Sequence, residues 1–186
     1  MRVIAGQFRS RRLSSLPGLD IRPTLDRLRE TLFNVLSSGN PDVLSGTVWI
    51  DLYAGTGAVG IEAISRGASM VYFVESAERA ADLIGRNLRS LQIEHGYQLL
   101  RQDAVAAIHT VNVPVDYVFL DPPYRLENEY QRCLSVLAQS ALLKPETIVI
   151  AEHPKTYDPG EAFYALRRYR KLLQGDAGLS FYRKNS

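Results

Sequence analysis

Hydrophobic and polar positions fall into blocks of different period along this chain, separated by turns rich in glycine, proline and asparagine. Short apolar runs recur at Val48-Trp49-Ile50-Asp51-Leu52, Met70-Val71-Tyr72-Phe73-Val74-Glu75, Tyr97-Gln98-Leu99-Leu100-Arg101, Tyr117-Val118-Phe119-Leu120 and Thr147-Ile148-Val149-Ile150-Ala151-Glu152. Runs this short, rich in Val, Ile, Tyr and Phe, read as buried strands. Between them, helical spacing predicts helices over 58–66, 77–91 and 127–140. An earlier helix places Leu25, Leu28, Leu32, Val35 and Leu36 on one face, with Thr24 as its N-cap and Ser38-Gly39-Asn40-Pro41 near its end. The strand–helix alternation predicts an α/β fold with a mostly parallel sheet and helices on both sides. Phe163 to Leu172 and Leu179 to Arg183, joined through Gln174-Gly175-Asp176-Ala177-Gly178, read as a closing antiparallel hairpin. Residues 2–18 read as an extended appendage of two β-leaning pieces ended by Pro17-Gly18, so residues 1–22 are expected to form a small β-hairpin extension on a main domain over 23–186.

With 186 residues, 46% apolar and 23% charged, the chain suits one soluble domain. No run reaches the length of a membrane span and residues 1–6 hold no secretory apolar region, so a cytoplasmic monomer without membrane contact is expected. One cysteine, Cys133, and three scattered histidines are too few for a zinc site, and no metal is expected. Cys133 reads as a small apolar helix residue, Trp49 as strand packing, and His95, His109 and His153 as solvated or satisfied. The net charge of +2 hides an asymmetry: seven arginines against two aspartates over residues 1–29, six basic residues against one aspartate over 164–186, and an acidic stretch between. Two basic ends suggest a surface for phosphates.

The chemistry lies at the strand ends. Gly55, Gly57 and Gly60 satisfy the dinucleotide-type G-x-G-x-x-G spacing after the first strand, and Glu75 ends the second where an acid can read ribose hydroxyls. A pyrophosphate would be repelled by Asp51, whereas S-adenosylmethionine has no phosphate and carries an ammonium and a sulfonium. Asp103, with Ala104, follows the third strand where an adenine amino group could lie, and Asp121 ends the fourth. As plain structure, Asp51 and Asp103 could be helix caps. In Asp121-Pro122-Pro123-Tyr124 the prolines remove two donors, leaving the Asp121 carboxylate and the Pro122 carbonyl to face an incoming amino group, with Tyr124 as a stacking surface.

Together with Arg2-Val3-Ile4-Ala5-Gly6, Arg11-Arg12-Leu13, Arg22-Pro23-Thr24, Ser65-Arg66-Gly67-Ala68 and Leu179-Ser180-Phe181-Tyr182, these motifs give a chain that resembles the class I S-adenosylmethionine-dependent methyltransferases. More narrowly it resembles the bacterial 16S ribosomal RNA guanine-N2 methyltransferase D family, from about Arg2 to Arg183. Tyr53 and Thr56 stand where that family often has Phe and Ser, and Lys171 to Asp176 match it loosely. The resemblance implies a Rossmann-like sheet and methyl transfer to a guanine amino group, leaving S-adenosylhomocysteine. Its partner would be ribosomal RNA, within a small subunit or its precursor. Gly55, Gly57, Asp51, Glu75, Asp103, Ala104 and Thr24 would line the cofactor, and Asp121, Pro122 and Tyr124 would act on the base. Arg9, Arg11, Arg12, Arg22, Pro123, Arg167, Arg168 and Arg170 would meet the RNA. Adenine-N6 DNA methylation and a noncatalytic RNA-binding assembly factor are the alternatives.

Overall fold

The computed structural model describes residues 1–15 and 23–185. All five predicted parallel strands form: β1 (Val48–Leu52), β2 (Met70–Val74), β3 (Tyr97–Leu100), β4 (Val115–Leu120) and β5 (Leu143–Pro154). They combine with β6 (Ala162–Phe163), β7 (Leu166–Gln174) and β8 (Ala177–Lys184) into one sheet of order β3-β2-β1-β4-β5-β8-β7-β6, antiparallel from β5 outward. Helices α1 (Pro23–Leu36), α2 (Ala58–Ser65), α3 (Glu78–Ser90), α4 (Ala104–Thr110) and α5 (Asn128–Ala138) pack on its two faces. The central strands are buried on both faces, as parallel strands between helical layers must be.

Where structure and sequence reading part, local reasons are visible. Strand β5 outruns its apolar core because Leu143 pairs with Val115 across a register shift, and Glu152, His153 and Pro154 pair with β8. The predicted last hairpin loses Phe163 to a separate short strand, because Tyr164 adopts a positive φ of 47° and turns the chain back. Helix α4, seven residues long, was not among the predicted elements. Helix α1 starts at Pro23, so Thr24 lies in its first turn rather than at its cap, and proline's fixed φ suits that first position. Arg22 lies outside the described residues.

One core lies between the sheet and the layer formed by α1, α2, α3 and the N-terminal segment, and the other between the sheet and α4 with α5. Trp49 stacks between Phe33 and Tyr117, at 5.5 and 4.4 Å, and donates its indole N–H to Thr47. At Gly60 helix α2 lies close against the sheet: a Cβ there would lie 2.3 Å from Phe73 Cε1 and 2.8 Å from Val71 Cγ1. Both neighbours are fully buried, so Gly60→Ala is expected to cost roughly 1–3 kcal/mol, read as a lower denaturant midpoint.

The N-terminal segment is no loose appendage. Its arms meet antiparallel at a single bridge, Arg2 with Arg12, while Gly6 and Ser10 take positive φ and curl the tip. The fully buried Glu62 of α2 accepts the backbone N–H groups of Ile4 and Ala5 at 2.7 and 3.0 Å and the Arg66 guanidinium at 2.8 Å. Val3 and Leu13 enter the core, so this short segment is sewn to the sheet's helical layer.

Candidate active site

The strand order reverses between β1 and β4, since β1 is followed by β2 on one side and β4 lies on the other. In open α/β sheets that reversal opens a crevice beyond the carboxyl ends of the strands. The predicted acids all reach this edge: Asp51 within β1, Glu75 just after β2, Asp103 after β3 and Asp121 after β4. Asp121 follows the paired Leu52 and Leu120, and its N–H reaches the Leu52 carbonyl at 3.4 Å.

Asp51 is 2% exposed and accepts the Gly60 N–H at 3.0 Å. Burial, opposed by that bond but reinforced by the Asp121 and Glu75 carboxylates, pushes its carboxyl up from 3.8 to about 8. The folded state therefore holds a proton that the unfolded chain has lost, and stability falls as pH rises from about 4 to about 8. Asp51→Asn keeps an oxygen for Gly60 and cannot ionise. It is expected to match the parent near pH 4 and to exceed it at pH 9 by on the order of 1–3 kcal/mol, read from thermal melts at both pH values.

The glycine turn is internally satisfied. Gly55 donates its N–H to Glu75 Oε2 at 2.9 Å, Gly57 donates to the Ala54 carbonyl at 2.7 Å, and Gly60 donates to Asp51. Groups that would cradle a pyrophosphate are thus consumed, two of them by carboxylates, which suits a cationic ligand and opposes a phosphate. Gly57 holds φ at 78° and initiates α2, and a Cβ there would press on Ile84. A brace joins two of the loops to α5: the Tyr53 hydroxyl donates to Glu129 at 2.5 Å, and Arg132 pairs with both Glu129 and Asp103. Asp103 also caps α4, and the bonds from Val105, Ala106 and Arg132 all fall on Oδ1. Burial works to raise its carboxyl, but these donors outweigh it and hold the group below its ordinary range. Ala104 is buried beside it. Cys133 is buried in the α5 layer against the Tyr53 hydroxyl, and burial pushes its thiol up to about 11, which makes it an inert packing residue.

In the tetrapeptide after β4, Pro122 is buried while Pro123 and Tyr124 are exposed. Asp121 is recessed and half-buried, and desolvation raises its carboxyl to about 7. Sequence reasoning missed its neighbour. Glu152 on β5 stands beside Asp121 because Ala151 pairs with Leu120, and it is 8% exposed. Burial first, then the Asp121 carboxylate, raises the Glu152 carboxyl, while a hydrogen bond with Tyr124 and the positive charge of Arg29 oppose the rise. The signal was a carboxylate closing the strand next to β4, but adjacency of β4 and β5 is a property of topology. His153, next along, is buried and held by the Pro154 carbonyl and Ser180 hydroxyl, and His95 and His109 are exposed.

Arg9, Arg11 and Arg12 are exposed on the N-terminal segment, with Arg11 reaching the Ser90 carbonyl at the end of α3. The C-terminal arginines divide. Arg167 and Arg170 are exposed, but the Arg168 side chain is only 10% exposed and pairs with Asp158 and Glu161. Its guanidinium is already paired with these two exposed acids, which sets it apart from Arg167 and Arg170 as a phosphate contact. Arg167 also lies toward the amino edge of the sheet, since Arg168 is level with Tyr182 and Val149, three residues before Glu152. Among the described residues no helix is long and apolar enough to cross a membrane.

The family model described as conserved hypothetical protein 95 matches residues 1–183. A Bacillus subtilis relative described as "Putative rRNA methyltransferase YlbH" is 32% identical over 99% of both chains. The Haemophilus influenzae protein named ribosomal RNA small subunit methyltransferase D is 34% identical, covering 83% of this chain and 79% of the relative. A solved Escherichia coli structure, "Putative methyltransferase yhhF", superposes with a TM-score of 0.83 at 25% identity over 100% of this chain and 98% of its own. With the Rossmann-like sheet, the glycine turn and the Asp-Pro-Pro-Tyr strand end in their expected places, the chain belongs to the conserved hypothetical protein 95 family, that of the ribosomal RNA small subunit methyltransferases D.

Proposed function

We propose that this protein transfers a methyl group from S-adenosylmethionine to the exocyclic N2 amino group of a guanine in small-subunit ribosomal RNA. The observation that carries the reading is a crevice whose turn N–H groups are already taken by Asp51 and Glu75, beside a strand end, Asp121-Pro122-Pro123, whose two prolines carry no N–H. S-adenosylmethionine supplies a methyl group already activated on a sulfonium. Asp51, which holds its proton in the empty crevice, would ionise against the cofactor's positive end, Glu75 would accept from ribose hydroxyls, and Asp103 would offer Oδ2 to the adenine amino group with Ala104 alongside. Gly55 and Gly57 allow close backbone approach.

A guanine amino nitrogen is a poor nucleophile because its lone pair is delocalised into the ring. Asp121 and the Pro122 carbonyl each accept one amino hydrogen, which fixes the lone pair toward the methyl carbon. Bound in the crevice, the cofactor would give up its methyl group to the nitrogen with the C–S electrons left on sulfur, and the Asp121 carboxylate would take the proton that the nitrogen loses. Tyr124 stacks on the base with Pro123 at its edge, which requires an unstacked or flipped nucleotide. Arg9, Arg11, Arg12, Arg167 and Arg170 hold phosphates without reading sequence. The protein acts as a cytoplasmic monomer on a small subunit or its precursor.

The test offers labelled cofactor in parallel to small-subunit RNA, partly assembled small subunits lacking their own modification, and duplex DNA. Label is expected in RNA or subunits. Label in DNA alone would replace this reading with DNA methylation, and RNA retention without label in any substrate would favour a noncatalytic assembly factor.

A further inference from the structure

Glu152 is a buried carboxyl that the reaction as described leaves unused. It stands on the side of Asp121 away from the glycine turn, because β5 flanks β4 on the opposite side from β1. Its strand end is fixed: the buried Tyr130 hydroxyl of α5 donates to the Glu152 carbonyl at 2.8 Å. Its carboxyl is hydrogen-bonded with Tyr124, whose ring is the stacking surface for the base. The other charged groups that face it are Asp121 from the strand-end loop, Asp51 from β1 and Arg29 from α1. Arg29 is itself occupied, by the Arg2 carbonyl at 2.5 Å and Asp26 at 3.0 Å. A carboxyl placed beside another in a buried site is costly, and a fold seeking only stability would do better with an apolar side chain there.

The chemistry of the target supplies a reason. Guanine presents its amino group and the ring N1–H side by side, two donors in a row, whereas adenine presents an amino donor beside a bare ring nitrogen. An acceptor next to Asp121 on the side away from the cofactor turn matches the second donor. Resting on the guanine reading above, we propose that Glu152 is a specificity-determining residue that accepts the ring N1–H of the target guanine. Since two adjacent carboxyls cannot both ionise easily, the pair retains one proton, and with the proton on Glu152 its carbonyl oxygen still accepts while Asp121 stays anionic for the amino group.

The test uses RNA in which the methylated guanine is replaced by 2-aminopurine, which keeps the 2-amino group and has no hydrogen on N1. Wild-type protein is expected to prefer guanine in kcat/KM by at least about tenfold, because a site built for an N–H rejects an analogue lacking it. E152L should lower kcat/KM for guanine until the two substrates are equal. E152Q retains a carbonyl acceptor and should keep the preference, which also provides the test if the leucine variant does not fold. Equal loss for both substrates in E152L would reduce Glu152 to support of Tyr124, and an intact preference in E152L or its loss in E152Q would overturn the assignment. Absence of transfer by the wild-type protein to either RNA would instead overturn the methyl-transfer reading itself.

Discussion

Asp121→Ala is expected to lower methyl transfer to RNA by roughly 10²–10⁴-fold at saturating cofactor, with RNA retention and the melting temperature close to the parent's. On the proposed mechanism the substitution removes the acceptor that orients the amino group and takes its proton, and leaves the arginines proposed to hold phosphate untouched. Stability should hold or rise, because the lost carboxyl is raised by desolvation and its neighbour Glu152 is buried beside it. Asp121→Asn, which keeps one carbonyl acceptor but no negative charge, should retain more activity than the alanine variant. Single-turnover transfer at fixed cofactor is the measurement, and parental activity in Asp121→Ala would remove the residue from the mechanism.

Glu62→Ala is expected to destabilise the fold by roughly 3–5 kcal/mol, because it strips partners from buried donors. Ile4 and Ala5 lose the acceptor of their N–H groups, and Arg66 loses its buried ion-pair partner. The N-terminal segment is then held by the Ser65 and Asn87 bonds and by Val3 and Leu13. Hydrogen exchange at residues 1–15 should rise along with the fall in denaturant midpoint. RNA retention should weaken, with a salt slope lower by about 0.7 to 0.9 for each phosphate that the dispersing arginines release. An unchanged midpoint would mean that the segment is anchored mainly by its apolar side chains.

The strands were legible because their apolar runs are short, β-branched and bounded by turns, and a buried parallel strand needs little else. The crevice acids were legible because each ends a strand, so Asp51, Glu75, Asp103 and Asp121 share an edge once the sheet is parallel. What escaped depends on partners distant in sequence. Helix α4 is too short to show a helical period, and Asp103 looked as much like a cap as a ligand; it is a cap, with Oδ2 outside those capping bonds. Glu152 belongs beside Asp121 only through the β4–β5 register, and Arg168 is ion-paired only because the loop before β6 brings Asp158 against it. The N-terminal arginines were visible as charge, but the tether that holds their segment, Glu62, looked like one more acid on a helix.

The most direct measurement digests the labelled RNA to nucleosides and identifies the methylated atom by mass spectrometry against standards. N2-methylguanosine is expected from the wild-type protein, and its loss in Asp121→Ala. N6-methyladenosine, or a methyl group on a ring carbon or ribose oxygen, would contradict the guanine-N2 reading.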